Sequence, residues 1–151
     1  MTSETLYMLV EELLKLPRLT TEAVAGLLSI PLTAEAAGTP YFAVHQGTRP
    51  PEVTGPGPVA VELRTPRPSS PAGAQGAKDG ILIVDLEGLT ITMYEVGGHY
   101  GKPARMVHSA PDDPDHTVSL WYAPDGGELR FIFDAGQLQL RGIVIDRTEL
   151  R

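Results

Sequence analysis

Residues 117–146, TVSLWYAPDGGELRFIFDAGQLQLRGIVID, decide the fold of this chain. Apolar and polar side chains alternate along 117–123 and along 129–134, and a period of two is typical of a strand with one buried face. The turn PDGG at 124–127 supplies a proline with a fixed φ and glycines that accept a positive φ, as a tight hairpin requires. Another apolar run follows at 138–146. We therefore predict three consecutive strands that carry the floor of the hydrophobic core.

The single tryptophan of the chain lies on the first of these strands. Leu120 and Tyr122 have one parity and Trp121 has the other, so the two sets must point to opposite faces of the sheet. An outward Trp121 would be an anchor for a protein partner. A sheet covered on both faces would instead make Trp121 part of the core, and we favour this second position.

The N-terminal residues predict two helices that pack on this sheet. Apolar residues recur at the i, i+3, i+4 and i+7 positions of residues 3–16, and Pro17 ends the pattern. Thr20 has the position of an N-cap for a second helix that ends near Ser29. This helix has no Arg, Lys, Asn or Gln to contact bases or phosphates, so we interpret the pair as core helices rather than as a helix-turn-helix.

Four more strands are predicted, at 41–46, 59–64, 81–86 and 89–96. We expect the last two to form a hairpin, 81–96, joined at Glu87 and Gly88. A second hairpin is predicted at 117–134. The run ILIV at 81–84 is apolar without alternation, which indicates a central strand that is covered on both faces.

Residues 65–79, between two of these strands, consist mostly of Pro, Ser, Ala and Gly. Such a composition has almost nothing to bury, so we predict a flexible loop. Strand patterns continue on both sides of the loop, and the 151 residues are therefore interpreted as one domain, 1–151.

Together these elements predict an α+β fold, in which two N-terminal helices pack on a mostly antiparallel sheet of six or seven strands. Short turns in the C-terminal half favour a meander there. The alternative is a β-sandwich or a barrel with a helical cap.

The composition restricts the partners and the compartment. The net charge is −7, and an acidic surface repels phosphate backbones while it attracts basic proteins. We therefore expect a basic protein partner and no nucleic acid, and the apolar runs are too short for a membrane-spanning helix. The absence of cysteine excludes disulfides and thiolate metal sites, and it fits a reducing cytoplasm, where we place the protein.

Residues 97–116 carry the potential chemistry of the chain, with three of its four histidines and three aspartates. Their spacing matches no zinc, calcium or phosphate-binding motif, and the chain contains no serine nucleophile elbow. We therefore predict no bound metal, no cofactor and no catalytic residue. An enzyme that uses residues 99–116 stays the third hypothesis for the function.

The leading hypothesis is a protein-binding module, most concretely an inhibitor or immunity protein (an antitoxin) that covers a basic bacterial toxin or enzyme. Acidic turns would steer such a partner, and aromatic side chains would anchor it. The candidate partner-binding residues are Tyr100, Asp112, Asp113, Asp115, Trp121, Tyr122, Asp125 and Glu128. The alternative is a small-molecule-binding or regulatory domain that uses a sheet face.

Overall fold

The computed structural model describes residues 1–35, 39–67, 79–125 and 127–148. Within them the chain forms three helices, α1 (Ser3–Lys15), α2 (Thr21–Leu28) and α3 (Met93–Tyr100). The strands of the same residues are β1 (Thr33–Ala34), β2 (Phe42–Thr48), β3 (Gly57–Pro66), β4 (Ile81–Glu87), β5 (Arg105–His108), β6 (Thr117–Tyr122), β7 (Glu128–Asp134) and β8 (Leu140–Asp146). The predicted α+β class is confirmed, but the described strands number eight rather than six or seven.

The eight described strands form one open antiparallel sheet with the order β1-β2-β3-β4-β8-β7-β6-β5. Two meanders, β1 to β4 and β5 to β8, meet where β4 pairs with β8. The hairpin predicted at 117–134 is present as β6 and β7, and the predicted C-terminal meander is present as well. The alternative of a sandwich or a barrel is wrong, because these strands neither divide into two sheets nor close on themselves.

The two N-terminal helices begin where the sequence supplies a cap. The hydroxyl oxygens of Thr2 and Thr20 accept hydrogen bonds of 3.2 Å from the N–H groups of Thr5 and Ala23, respectively. The buried sides of both helices belong to one hydrophobic cluster with the sheet, so their interpretation as core helices is confirmed. None of the helices in the described residues is long and apolar enough to cross a membrane.

Residues 89–96 are not a strand, and the predicted hairpin 81–96 is wrong. The helix α3 begins at Met93, and the hydroxyl of its N-cap Thr92 accepts a hydrogen bond of 3.2 Å from the N–H of Glu95. Threonine followed three residues later by glutamate is the spacing of a capping box, which favours a helix start over a strand. As a result β4 pairs with β3 and β8 instead, and a further strand, β5, forms within 97–116.

The helices cover only one face of the sheet. Buried residues of all three described helices share a hydrophobic cluster with Leu82 of β4 and Phe131 of β7. Ile81 and Ile83 have the opposite parity to Leu82 and are partly exposed on the other face. The predicted coverage of this strand on both faces is therefore wrong. β-Branched side chains suit a half-buried pleated surface, so an unbroken apolar run does not require a second layer.

Three residues at the ends of the flexible loop predicted at 65–79 belong to the folded part of the chain. Thr65 and Pro66 pair with β2 as the last residues of β3, and Asp79 is buried. The rest of this prediction, residues 68–78, lies outside the described residues.

A buried ion pair connects the helices to the middle of the sheet. The Asp79 carboxylate and the Arg147 guanidinium lie 3.0 Å apart, and their side chains are 5% and 4% exposed. Asp79 also accepts a hydrogen bond of 3.0 Å from the N–H of Leu19. Arg147 donates to the carbonyl oxygens of Leu16 and Pro17 at 2.6 and 3.2 Å. The pair thereby holds the α1–α2 connection against the residues that precede β4 and follow β8.

Candidate protein-binding surface

The sheet face opposite the helices, which we call the open face, carries no helix or second sheet among the described residues. Along β6 and β7 the side chains alternate strictly between buried and partly exposed. The buried set faces the helices, so the partly exposed set lies on the open face. This face is therefore a half-buried surface without a second layer in the described part of the chain.

Strand register aligns one open-face residue from each described strand into a row across the sheet. In strand order its members are Thr33, Gln46, Glu62, Ile83, Val144, Arg130, Trp121 and Arg105. We call this set the Trp121 row. It has an apolar centre, a carboxylate on one side, and an indole ring with two guanidinium groups on the other.

Trp121 is held rigidly on the open face. The guanidinium carbons of Arg105 and Arg130 lie 4.0 and 4.1 Å from the centre of its ring, on neighbouring strands. The indole Nε1–H donates a hydrogen bond of 2.8 Å to the hydroxyl oxygen of Ser119. The favoured core position of Trp121 is therefore wrong, since the ring points away from the helices and is partly exposed.

The two arginines beside Trp121 differ in their ionic partners. Arg130 lies 2.5 Å from the Glu128 carboxylate and 3.4 Å from that of Asp146, so its charge is neutralised on the sheet. Arg105 is exposed and makes no ion pair within the described residues. The predicted candidate Glu128 thus orients Arg130 over the Trp121 ring, and its own charge is paired.

Sequence reasoning missed Arg130 as a site residue, although a signal was present. Closing the predicted hairpin on the turn 124–127 places Arg130 directly opposite Trp121, and this is the register found. No comparable signal identifies Arg105, because no strand is predicted within residues 97–116, where β5 lies.

A second row lies beside the Trp121 row, two residues along each strand. Its members are Thr48, Ala60, Asp85, Gly142, Ile132, Ser119 and Val107. Several of these side chains are small, so the row forms a floor below its neighbours. Two depressions of about 700 and 460 Å³ lie on this floor, and Ala60 and Asp85 line both. We call the row with its depressions the cross-sheet groove.

The acidic turns predicted to steer a partner lie at both ends of the strands rather than at one. Asp115 lines the 460 Å³ depression together with Glu87, the last residue of β4. Asp125 and Glu128 line a different depression, of about 410 Å³, beside Trp121. Only the first of these groups borders the cross-sheet groove.

The other two predicted aspartates belong to the same loop as Asp115. Asp112 and Asp113 are exposed, and the Asp113 carboxylate accepts a hydrogen bond of 2.9 Å from the N–H of Asp115. This bond is an Asx turn, which fixes the loop locally. The loop therefore presents three carboxylates at one end of the sheet.

Tyr100 and Tyr122 lie on the helix side of the sheet, Tyr122 buried and Tyr100 partly buried, so neither ring is presented on the open face. Tyr122 is 8% exposed, and its hydroxyl donates a hydrogen bond of 3.0 Å to the carbonyl of Gly101. The Tyr100 ring packs on Tyr122 and Phe131, with centroid separations of 5.5 and 5.0 Å. Side chains packed in this way offer no anchor to a partner, which leaves Trp121 as the aromatic candidate from the predicted set.

Burial raises the pKa of the Tyr100 phenol well above its ordinary value of 10.0, and the charges of Glu11, Tyr7 and Tyr122 raise it further. Burial also raises the pKa values of Tyr7 and Tyr122. The Tyr100 hydroxyl is buried and has no hydrogen-bond partner among the described residues. This hydroxyl therefore lowers the free energy of unfolding at neutral pH, and it lowers it further in alkali.

We expect Tyr100→Phe to leave the free energy of unfolding at neutral pH unchanged or to raise it by about 1 kcal/mol, because the orphan hydroxyl is removed. Above pH 10 the unfolded chain loses the phenolic proton while the folded chain keeps it, so stability falls as the pH rises. The variant should show a shallower fall. Urea unfolding between pH 7 and 11 measures both effects.

Tyr94→Phe is the matched control for this prediction, since Tyr94 lies on the same helix and is 73% exposed. It should change neither the stability at pH 7 nor its decline in alkali. Equal alkaline declines for Tyr100→Phe and the unmodified protein would contradict the assignment.

The histidines of residues 97–116 lie in separate surroundings. His99 stacks on Tyr7 with ring centroids 4.0 Å apart, which packs the end of α3 on α1. His108 is an exposed residue of β5, and His116 immediately precedes β6. Within the described residues no group of three His, Asp or Glu side chains is arranged to hold a metal ion. His99 is thus accounted for by packing.

No protein-family model, curated protein or solved structure matches this chain.

Proposed function

We propose that the chain is a protein-binding module that holds its partner on the open face. The observation that carries the proposal is the Trp121 row, in which a rigid indole ring lies between two arginines beside an apolar centre of Ile83 and Val144. Tryptophan and arginine dominate the energetic centres of protein interfaces. A ring that is already fixed by its neighbours loses little conformational entropy when a partner covers it.

The charge of the surface supports a basic partner. The net charge is −7 with only three lysines, and Asp85, Glu87 and Asp115 make no ion pair within the described residues. Such a field accelerates the approach of a positively charged protein and weakens as salt is added. The most concrete form of the proposal is a cytoplasmic inhibitor or immunity protein that covers a basic enzyme or toxin.

A small-molecule-binding domain is the second candidate, because one depression of about 700 Å³ has the volume of a ligand site. Apart from Pro31 and Pro50, its lining residues come from the strands β1 to β4 of the one sheet, so it does not enclose a ligand on several sides. Ligand sites of this volume usually bury most of the ligand. The depression therefore suits a protruding side chain of a partner better than a free metabolite.

Trp121→Ser is expected to weaken partner binding by about 30-fold, which is the effect of losing an anchor worth about 2 kcal/mol. Tagged full-length chain is first used to capture the partner from cells that produce both proteins, and its dissociation constant is then measured by calorimetry. Tyr94→Ser, which removes an exposed aromatic ring from the helix side, is the matched control and should bind like the unmodified protein.

Equal affinities for Trp121→Ser and the unmodified protein would contradict the proposal, provided that urea unfolding shows both to be folded. A loss of binding in Tyr94→Ser alone would move the interface to the helix side.

A further inference from the structure

The cross-sheet groove is shaped by the size of its side chains. Its floor contains Ala60, Gly142 and Ser119, and the Trp121 row beside it carries the larger Ile83 and Trp121. From β3 to β6 the floor crosses four strand spacings, or about 19 Å. An extended segment of about six residues covers this distance. The groove therefore has the length of a short peptide segment.

The carboxylate on the groove floor, Asp85, lacks the ionic partner that Glu62 and Asp146 of the open face have. Glu62 binds Arg64 at 2.7 Å. Asp146 accepts a hydrogen bond of 2.6 Å from the Thr148 hydroxyl and also contacts Arg130. Asp85 is exposed and has neither an ion pair nor a hydrogen bond to its side chain within the described residues.

Acidic and apolar side chains surround Asp85: Glu62 lines the first depression with it, and Glu87 and Asp115 line the second. Ile83 lines the depression on one side of it, and Ile132 lines the depression on the other. Arg141 lines the second depression but forms no ion pair with Asp85 in the described part of the chain. A guanidinium or ammonium group entering the groove would meet an uncompensated carboxylate, while its aliphatic stem and apolar neighbours would lie on the walls.

We infer that the partner lays an extended segment into the cross-sheet groove and places an arginine or lysine of that segment against Asp85. This assignment rests on the proposed function and adds to it the contact that selects a basic partner. Trp121 supplies the anchor of the interface, and Asp85 supplies its charge specificity. Glu62 and Asp146 are less able to select a cationic side chain, because their charges are already compensated on the sheet.

The test uses a defined probe, the acetylated and amidated peptide Ser-Leu-Ser-Arg-Ser-Leu-Ser, whose arginine and leucines lie on one side when the chain is extended. It is titrated into the ¹⁵N-labelled full chain and followed by NMR. Amide shifts should change at Ala60, Asp85, Gly142 and Ile132. The dissociation constant should rise about tenfold when citrulline replaces the arginine and when the protein carries Asp85→Asn.

Glu12→Gln is the matched control, because Glu12 is exposed on α1, on the helix side of the sheet. It should bind the arginine peptide like the unmodified protein. Failure of the peptide to bind at millimolar concentration, or equal binding of the arginine and citrulline peptides, would overturn the inference.

The same variants, measured with the captured partner, separate the two proposals. If Trp121→Ser weakens the complex and Asp85→Asn does not, the open face is the interface but the assignment of Asp85 is wrong. If neither substitution weakens the complex, both proposals are wrong. If both do, and Glu12→Gln does not, both are supported.

Discussion

Arg147→Met is expected to lower the free energy of unfolding by about 3–5 kcal/mol, because it leaves the Asp79 carboxylate buried without a cation. It also removes the donors to the carbonyl oxygens of Leu16 and Pro17. A domain of this size is stable by about 5–15 kcal/mol, so this single substitution consumes a large part of its stability. Urea unfolding at pH 7 measures the loss.

The double variant Asp79→Asn with Arg147→Met is the control for the charge. The amide oxygen of asparagine can still accept the hydrogen bond from the N–H of Leu19, and no unpaired charge remains in the interior. Part of the lost stability should therefore return. A single Arg147→Met variant that unfolds within about 1 kcal/mol of the unmodified protein would show that solvent reaches this pair.

Phe131→Ala should cost about 3–5 kcal/mol, since the ring is fully buried and its removal leaves a cavity beneath the helices. The ring lies 5.0 Å from Tyr100 and 6.1 Å from Tyr122 between centroids, so two further aromatic contacts are lost with it. Leu13→Ala, in the same cluster on α1, should cost about 2–5 kcal/mol. Urea unfolding at pH 7 measures both losses.

Ile132→Ala tests the sidedness of β7, because Ile132 is the neighbour of Phe131 on the open face and is partly exposed. It should cost about 1 kcal/mol. A loss for Ile132→Ala as large as that for Phe131→Ala would mean that the open face is covered in solution, which is incompatible with a free binding surface.

Local patterns predicted the elements whose signals lie within a few residues. The heptad-like spacing before Pro17, the cap at Thr20 and the turn at 124–127 each determine structure over short distances, and the corresponding elements are present. The strand predicted at 89–96 is wrong because a local helix signal in these residues was not weighed. Their apolar content suggests a strand, but Thr92 caps a helix by accepting a hydrogen bond from the N–H of Glu95, and a local helix start outweighs β-propensity.

The candidate surface was less predictable because it depends on long-range arrangement. The parity of Trp121 correctly separates it from Leu120 and Tyr122, yet parity does not say which face the helices cover. Asp85 gave no signal at all, since its position in the groove follows from the pairing of β4 with β8, residues that lie far apart in the chain. The acidic turns, in contrast, were visible in the sequence but do not gather at one place.

The place of β8 between β4 and β7 bears on how the chain is made. During synthesis β1 to β4 leave the ribosome with one edge of β4 unpaired, and that edge stays unpaired until residues 140–146 emerge. The strand so exposed is ILIVDLE, an apolar edge of the kind that pairs with other chains. Nascent chains halted between β4 and β8 should therefore aggregate or occupy chaperones rather than persist as a half-built domain.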